Sequence, residues 1–465
     1  MSTPTKRVAF HTLGCKLNFS ETATISRDFI RHGFEKVDYR DEADIYVLNT
    51  CSVTENADKE ARKLIRKAKR RNPNSSVAVI GCYAQLKPND IAEIDGVDII
   101  LGTEEKFNLL NHLNEIDLNS ETKVIQSEID HVHKFTPSYS SGERTRSFLK
   151  VQDGCDYTCS FCTIPLARGK SRSDSIEYTM KIARELAKTD AREIVLTGVN
   201  IGDFGKGSDE SFFNLIQQLD SLDGIDRIRI SSIEPNLLTN DIINFCASSR
   251  KFMPHFHVPL QSGSDKILGA MRRRYKRNLF EERVTKIKSI IPDACIGVDV
   301  IVGFPGETDV DFLKTYNFLN DLDISYLHVF SYSERPNTDA VEMGGVISKE
   351  KRTERSKMLH ILSDKKRRYF HDKFVNTKRP VLFENMKNGK MLGHTDNYIQ
   401  VQCNTPIKST QRMGNPSGIV ITAIVVVHIN TWIVSNLLEL DLPKAIFSFC
   451  NIKSPIQCAR TIPSI

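Results

Sequence analysis

Three closely spaced cysteines are the residues of this sequence with the clearest chemical meaning. Cys155, Cys159 and Cys162 form a C-x3-C-x2-C pattern within eight residues. Cysteine thiolates hold iron–sulfur clusters, and three of them leave one iron of a four-iron cubane open. An open iron can bind the amino and carboxylate groups of a small molecule, which is how S-adenosylmethionine is held for reductive cleavage. The pattern therefore predicts a [4Fe–4S] cluster that cleaves S-adenosylmethionine.

A structural zinc site is the alternative for these cysteines. Structural zinc usually takes four protein ligands in a closed tetrahedron. The histidines upstream, His131 and His133, fall in a predicted linker, and no fourth cysteine or histidine lies close to the pattern. The missing fourth ligand favours the iron–sulfur interpretation.

Three further cysteines follow predicted strands. Cys15, Cys51 and Cys82 come just after the apolar runs Val8–Thr12, Ile45–Asn49 and Val77–Gly81. Their spacing fits β-α-β units of about thirty residues, and parallel strands place their carboxyl ends at one edge of a sheet. We therefore expect a second cluster site at that edge. The alternative is three buried structural cysteines, since free cysteine is often buried.

The elements that must position these residues alternate between apolar strands and helical stretches. In the middle of the chain the candidate strands are Phe148–Gln152, Glu193–Thr197, Arg227–Ser231, His255–Pro259, Gly297–Val302 and Tyr326–Ser331. Strands in alternation with helices are typical of a parallel sheet, and six units predict an open barrel. The C-x3-C-x2-C pattern follows the first of these strands, where such folds place active sites.

The predicted fold class is α/β with three parts and a tail. Residues 4–116 form a doubly wound parallel-sheet domain, 117–140 a linker, and 141–372 a partial (β/α)6 barrel. A small β module is expected over 373–440, followed by a tail of uncertain fold over 441–465.

The composition is that of a cytosolic globular protein. The chain has 465 residues, a net charge of +6 and 11 cysteines, too sparse for a disulfide scaffold. No signal peptide is visible at Met1–Arg7. The apolar run Ile419–Val427 is far shorter than the roughly twenty residues of a membrane span, so we expect a strand or a segment without stable fold there. We predict a cytoplasmic protein with no membrane partner.

Several separated motifs resemble those of methylthiotransferases of the radical S-adenosylmethionine superfamily. The resemblance runs from about Arg7 to about Gln402, through Gly14–Asn18, Asn49–Cys51, Gly81–Tyr83, Gly154–Cys162, Pro165–Gly169, Gly198–Gly202, Pro259–Asp265 and Gly297–Thr308. It implies two [4Fe–4S] clusters and S-adenosylmethionine as cofactors. Cys155, Cys159 and Cys162 would hold the radical-generating cluster. Cys15, Cys51 and Cys82 would hold an auxiliary cluster that carries the sulfur to be inserted.

The resemblance also implies which residues lie near S-adenosylmethionine. These are Gly198, Asn200, Glu234, Gln261 and Ser262. Ordinary β-α turns are the alternative for the glycine-rich segments.

Two segments resemble one branch of the family in particular. Ser231–Asn236 and Phe330–Thr338 are similar to the enzymes that add a methylthio group at C2 of N6-threonylcarbamoyladenosine 37 in tRNA. The partners implied are tRNA, through position 37 of its anticodon loop, and an electron donor such as flavodoxin or ferredoxin, but not DNA. Isopentenyladenosine 37 of tRNA and a ribosomal protein aspartate are alternative substrates. A non-catalytic iron–sulfur or RNA-binding protein is the alternative from another class.

Three basic runs favour an RNA partner. Lys59–Arg71 contains eight basic residues, Arg272–Arg277 is a second cluster, and Lys349–Arg379 has twelve basic against four acidic residues. Clustered Lys and Arg are the electrostatic footprint of phosphate binding, although a single run is more often a solvated helix face.

The C-terminal module resembles the start of the TRAM domain, the small β-barrel with which the family grips tRNA. Pro380–Gln402 is similar to its first strands, with Asn397 and Tyr398 in place. After about residue 403 the resemblance stops, and residues 404–465 contain only two acidic side chains. A shifted reading frame or a replaced tail would produce this change, so we expect the module to be partial and aberrant there.

Overall fold

The computed structural model describes residues 5–51, 55–114, 121–141, 145–403, 420–428 and 431–437. The chain divides into two compact units, Met1–Phe370 and His371–Ile465. The predicted tail over 441–465 lies outside the described residues, as does the stretch 404–419. Of the helices in the described ranges, none combines the length and the hydropathy that a membrane span requires.

The first unit begins with a parallel sheet of six strands. The strands are β1 Arg7–Thr12, β2 Glu35–Val37, β3 Ile45–Thr50, β4 Ser76–Gly81, β5 Ile99–Leu101 and β6 Lys123–Ile125. The accompanying helices are α1 Lys16–Arg31, α2 Glu55–Arg71, α3 Cys82–Leu86, α4 Pro88–Ala92 and α5 Leu109–Asn114. The order across the sheet is β2-β1-β3-β4-β5-β6. Strand β6 comes from the predicted linker and extends this sheet.

Apolar layers cover both faces of this sheet. Along β4, Val77 and Val79 belong to one layer, whereas Ala78 and Ile80 belong to the other. Side chains alternate across a strand, so one apolar strand feeds both layers. Helix α2 packs on the first layer and α1 on the second, with its Phe29 fully buried. The doubly wound arrangement predicted from the sequence is confirmed.

The same unit continues as an open barrel. Its strands are β7 Ser138–Tyr139, β8 Arg146–Lys150, β9 Glu193–Thr197, β10 Arg227–Ile230, β11 His255–Gln261, β12 Cys295–Val302 and β13 Tyr326–Ser331. Its helices are α6 Ile164–Arg168, α7 Ile176–Ala187, α8 Phe212–Asp220, α9 Asn240–Ser248, α10 Asp265–Ala270, α11 Arg277–Ile290, α12 Asp309–Asp321 and α13 Lys349–Asp372.

The six parallel strands of the barrel match the six predicted ones. They form sheets β10-β9-β8-β7 and β11-β12-β13, which are joined by the parallel bridges Ile228↔Phe252 and Ser232↔His257. Strand β7, also from the predicted linker, pairs antiparallel with β8. The apolar core lies between the strands and their helices. The opposite side of the strands carries buried polar residues such as Lys150, Glu193 and Arg229, together with the apolar Val195 and Ile301.

The second unit is a small closed barrel. Its strands are β14 Lys378–Lys387, β15 Lys390–Thr395, β16 Gln400–Cys403, β17 Val420–His428 and β18 Thr431–Leu437, in the order β14-β15-β16-β18-β17. The turn between β14 and β15 is Asn388-Gly389 with both φ angles positive, the geometry of a tight hairpin.

Strands β17 and β18 close the barrel within the described residues, and the expectation that the module is partial and aberrant after about residue 403 stays a prediction. Strand β17 contains residues 420–427 of the apolar run, and it pairs with both β14 and β18. A β-branched run satisfies its backbone groups by pairing in this way, whatever the residues around it. The expected strand at this run is confirmed.

Candidate active site

The C-x3-C-x2-C segment is a loop that folds back on its own stem. Gly154, just before it, has φ +68°, and a Cβ there would lie 2.0 Å from the carbonyl oxygen of Lys170. Only glycine fits both restraints. The amide of Cys155 donates to the Gly169 carbonyl at 3.0 Å, and the amide of Cys162 donates to the Cys159 carbonyl at 3.1 Å. The loop therefore places the three thiols near enough for their charges to act on one another, and their role as cluster ligands stays a prediction.

The electrostatics of these thiols suit a metal cluster. Burial raises the pKa of Cys155 to about 12 and that of Cys162 to about 11, and in both cases neighbouring cysteine charges add to the effect. The thiols are therefore held in the protonated form, and a metal that binds them displaces those protons. Arg273 Nη1 donates to Cys159 Sγ at 3.2 Å and pairs with Glu234. Three thiols without an imidazole fit an iron–sulfur cluster that keeps one iron open.

The second cysteine set lies where three neighbouring strands end. Cys15, Cys51 and Cys82 follow β1, β3 and β4, which are adjacent in the sheet. A Cβ on Gly14 would lie 2.9 Å from Cys51 Sγ, so the chain at Cys15 is packed against Cys51. Burial raises the pKa of the Cys82 thiol, the charge of Arg168 opposes this rise, and the charge of Cys15 adds to it. The convergence expected from the topology is present, and this donor set also fits a cluster with one open iron.

Asparagine side chains hold this edge of the sheet. Asn18 Nδ2 donates to the carbonyls of Leu13 at 3.0 Å and Thr50 at 2.9 Å. Asn49 Nδ2 returns a hydrogen bond to the Asn18 carbonyl at 3.0 Å. These bonds fix the two loops that carry Cys15 and Cys51.

A buried network of charges connects the two cysteine sites. Arg168, at the end of α6, reaches Asn18 Oδ1 at 2.5 Å, Glu21 Oε1 at 3.0 Å and Asp153 Oδ1 at 2.9 Å. Lys150 bonds both carboxylates, at 3.0 Å and 2.6 Å. The fifth charged member is Lys106, 2.8 Å from Glu21. No side chain of these ion pairs is more than 2% exposed.

The fully buried part of the network carries three positive and two negative side chains, and Arg172, which is 10% exposed, adds a further positive charge 3.5 Å from Asp153. Burial raises the pKa of Glu21, but Arg168, Lys106 and Lys150 outweigh it and hold that pKa well below its usual range. The charges of Arg168 and Lys106 also act on Cys82, where they oppose the rise caused by burial. The excess positive charge stabilises thiolates, which is the form that binds a cluster.

The residues expected near S-adenosylmethionine do not share one environment. Asn200 donates from its amide to Gln152 Oε1 at 2.8 Å, and its own Oδ1 is buried without a hydrogen bond in the structure. Glu234 lies beside Arg273 and acts on Cys159. Both face the loop that carries the first three cysteines.

The remaining three members of that set differ in accessibility. Gln261 lines a cavity of about 620 Å³ together with Cys162. Ser262, by contrast, is fully buried and 3.2 Å from the Thr315 hydroxyl. At Gly198 a Cβ would lie 2.7 Å from Ile201, so the glycine is required for packing of its turn. A role for these residues stays a prediction.

Similarity to known proteins agrees with this geometry. The family described as Uncharacterized protein family UPF0004 matches residues 7–102, and the Radical SAM superfamily matches residues 149–319. The chain is 39% identical over 406 residues to threonylcarbamoyladenosine tRNA methylthiotransferase MtaB of Bacillus subtilis (strain 168), covering 85% of this chain and 89% of that protein. The MtaB protein of Aquifex aeolicus (strain VF5) is 40% identical over 400 residues, covering 85% and 96%. The chain belongs to the radical S-adenosylmethionine methylthiotransferase family.

A solved structure shares the fold of this family member. The radical S-adenosylmethionine methyltransferase TsrM from Kitasatospora setae has a TM-score of 0.54 at 14% identity, covering 72% of this chain and 77% of that chain. At this identity the likeness shows the fold alone. Each of the two matched regions of this methylthiotransferase contains one of the two cysteine sets.

Sequence reasoning missed two arginines of this site. Arg273 was part of a basic run assigned to RNA, yet it contacts Cys159 and Glu234. Arg168 lay within the segment Pro165–Gly169, which carried the resemblance, but its partners are far away in sequence. In the third basic run, Arg352 and Arg355 are buried and paired with acidic residues. These arginines belong to the fold and the site rather than to a phosphate-binding surface.

A further group that the sequence did not reveal lies on the inner face of the barrel. His257, Asp299 and His328 lie on adjacent strands, with ligand atoms all within 4.8 Å of one another. His257 Nε2 is 2.7 Å from Asp299 Oδ1. Such a set can bind a divalent metal, but the charge of Lys16 acts on both Asp299 and His328. A nearby ammonium repels a cation, so we interpret the group as a polar wall.

Proposed function

We propose that this protein adds a methylthio group at C2 of N6-threonylcarbamoyladenosine 37 in tRNA. The observation that carries the proposal is that two three-cysteine sites lie in one compact unit and are joined through Arg168. Methylthiolation needs both a radical that removes hydrogen and a source of sulfur close to the same carbon. The family relationship supports the same reaction.

The residues of the chain would have distinct parts in this reaction. Cys155, Cys159 and Cys162 would hold the radical-generating cluster, and Cys15, Cys51 and Cys82 the auxiliary one. When bound, these clusters and S-adenosylmethionine supply hydrogen abstraction and the methylthio group.

Side chains around the first cluster site would orient the thiolates and S-adenosylmethionine rather than react themselves. Arg273 donates to Cys159 Sγ, which favours the thiolate and fixes its direction. Asn200, Glu234 and Gln261 would lie beside S-adenosylmethionine, with the buried Asn200 Oδ1 available to accept a hydrogen bond from it. An electron donor such as flavodoxin or ferredoxin would supply the electron for cleavage.

The small barrel of the second unit is proposed to bind the tRNA. Its support is the closed five-strand architecture and the basic residues that precede and enter it, from Lys365 to Arg379. This assignment predicts that tRNA affinity falls with rising salt, because phosphate contacts release counterions.

The test is methylthiolation by anaerobically reconstituted protein. Purified tRNA carrying N6-threonylcarbamoyladenosine 37 is incubated with S-adenosylmethionine and a reductant, and its nucleosides are analysed by mass spectrometry. We expect the 2-methylthio nucleoside from this tRNA and none from tRNA carrying isopentenyladenosine 37. Product on the isopentenyl tRNA alone, or on a ribosomal protein aspartate alone, would contradict the substrate. A well-loaded protein that does not cleave S-adenosylmethionine would support the non-catalytic alternative.

A further inference from the structure

The cavity of about 620 Å³ connects the loop of the first three cysteines with the first turn of α13. Its wall includes Cys162 from that loop, Gln261 at the end of β11, and Lys349 and Arg352 from α13. Its volume lies in the range of small-molecule sites. An enzyme that modifies a base takes that base out of the stack and into a pocket. This cavity is therefore where the nucleoside to be modified would lie.

One wall of the cavity is apolar and partly bare. Phe330 on β13 is 46% exposed, and it lines the cavity together with Ile301 and Val329. Exposed aromatic rings are the side chains on which nucleic-acid bases stack. This wall can hold a purine ring, but it has no charge with which to distinguish one substituent of the purine from another.

Four of the five charged side chains in the cavity wall have a protein partner. The pairs are Asp299 with His257 at 2.7 Å, Arg335 with Asp58 at 3.1 Å, and Arg352 with Glu334 at 2.5 Å. Arg352 also donates from Nη1 to the carbonyl of Tyr332 at 3.0 Å. These partners hold the four side chains in place.

Lys349 is the fifth charged side chain of the wall. It is exposed, and within the described ranges its ammonium forms no hydrogen bond or ion pair. The hydrogen bond from Arg352 is the first cause that lowers the pKa of Glu334, and the charge of Lys349 is the last. Lys349 is also the first residue of the 24-residue helix α13, and the start of a helix favours negative charge. Lys349 is therefore left to bind an anion from outside the protein.

The proposed substrate carries an anion for this position. The threonylcarbamoyl group ends in a carboxylate, whereas the isopentenyl group of the alternative nucleoside is apolar. Because C2 of the adenine must face the cysteine loop, the flexible group on N6 extends to another part of the cavity. We propose that Lys349 binds the carboxylate of the threonylcarbamoyl group, with the adenine stacked on Phe330, and thereby selects this substrate. The inference rests on the proposed function.

The experiment compares two synthetic anticodon stem-loop RNAs that differ by one charge. One carries N6-threonylcarbamoyladenosine 37, and the other carries the same nucleoside with its carboxylate replaced by a primary amide. At one fixed salt concentration, we expect reconstituted wild-type protein to bind the carboxylate RNA about ten-fold more tightly, because the amide lacks the charge-assisted hydrogen bond. Lys349→Met should bind both RNAs with the affinity that wild type has for the amide RNA. Lys349→Arg should keep most of the preference.

Two further variants separate the charge from the stacking. Lys357→Met is the matched control, because it removes an exposed lysine of the same helix that does not line the cavity. It should retain the full preference for the carboxylate RNA. Phe330→Ala should weaken the binding of both RNAs about ten-fold and leave the preference between them unchanged.

Three binding results would overturn the inference. Equal affinity of wild type for the two RNAs would show that the carboxylate is not recognised. A preference that survives in Lys349→Met would show that another group recognises it. Equal weakening of both RNAs by Lys349→Met, at unchanged iron content and melting temperature, would show that Lys349 contacts a phosphate instead. Turnover of the carboxylate RNA by wild type, followed by mass spectrometry, tests the proposed function separately, so the two failures are distinguishable.

Discussion

Each of the two cysteine sites of this protein consists of three cysteines, but the two sites are built in different ways. Cys155, Cys159 and Cys162 lie on one loop, which is shaped by hydrogen bonds within its own segment and is also bonded to the distant Met271 carbonyl through the amide of Ser160 at 3.2 Å. Cys15, Cys51 and Cys82 come from three strand ends and meet only because β1, β3 and β4 are neighbours. A local site depends on its loop, whereas an assembled site depends on the whole sheet.

The largest effect should come from removing one cysteine set at a time. Each triple Ala variant should lose about four of about eight irons, as expected for two cubanes. Only the variant at Cys155, Cys159 and Cys162 should lose reductive cleavage of S-adenosylmethionine. The variant at Cys15, Cys51 and Cys82 should still cleave it but form no methylthio product. Iron, sulfide and 5′-deoxyadenosine are the quantities to measure.

Cys246→Ala is the control for both triple variants, because Cys246 is buried in the barrel core away from either set. It should keep the full iron content. Loss of all iron from either triple variant would show that the two sites do not load independently.

Arg168→Met should cost stability, because Arg168 belongs to a fully buried network that touches both sites. Removing one partner of a buried ion pair leaves uncompensated charge and typically costs about 3–5 kcal/mol. Urea denaturation would measure the loss in the free energy of unfolding. The exposed pair Lys188–Glu185, at 2.7 Å, provides the comparison, since Lys188→Met should cost less than about 0.5 kcal/mol. Equal losses for the two variants would contradict a special role for Arg168.

Glycine substitutions should affect the local site and the assembled site independently, with an intermediate loss in the free energy of unfolding. Gly154→Ala forces a Cβ against the Lys170 carbonyl, and Gly14→Ala forces one against Cys51. Backbone strain of this kind costs about 1–3 kcal/mol. We expect each variant to lower the iron of its own site and spare the other. Gly33→Ala is the control, with φ +87° but no atom within 4 Å, and it should keep all iron.

The smallest effect concerns a motif outside both sites, the capping box of α12. Burial raises the pKa of Asp311, but hydrogen bonds from Lys266, Thr308 and Ser264 outweigh it and lower that pKa. Asp311→Asn should cost about 1 kcal/mol of unfolding free energy at neutral pH. A lowered folded pKa contributes stability above the unfolded value of about 3.9 and loses it as pH falls through the folded value.

The gap between wild type and Asp311→Asn should therefore close in acid, which denaturation at several pH values would show. A gap that stays constant from neutral pH to the lowest pH measured would exclude the carboxylate as its source. Iron content should be unchanged, because this locally encoded cap lies apart from both cysteine sets.

The sequence predicted the parts whose signal is local or periodic. The C-x3-C-x2-C spacing identified one site, and apolar runs of strand length identified the six barrel strands and the three strands that end near Cys15, Cys51 and Cys82. The sequence did not reveal the bridge between the sites. Arg168 and Glu21 are 147 positions apart, and no spacing rule connects residues at that distance.

The small barrel also shows a limit of what sequence composition can predict. The change in composition after residue 403 predicts an aberrant module, which stays a prediction, and backbone pairing of β17 and β18 depends little on which side chains they carry. The arginines Arg273 and Arg352 give a similar lesson, since a basic run says nothing about which of its members face inward.

By itself the sequence determined which cysteines are candidate ligands, their grouping into two sets of three, and the order of strands and helices. These properties follow from residue type and from the short-range periodicity of apolar residues along the chain. Tertiary structure decided how near the two sets lie, which charges lie between them, and that Arg273 points at Cys159. Those properties depend on contacts between distant segments, and only packing fixes them.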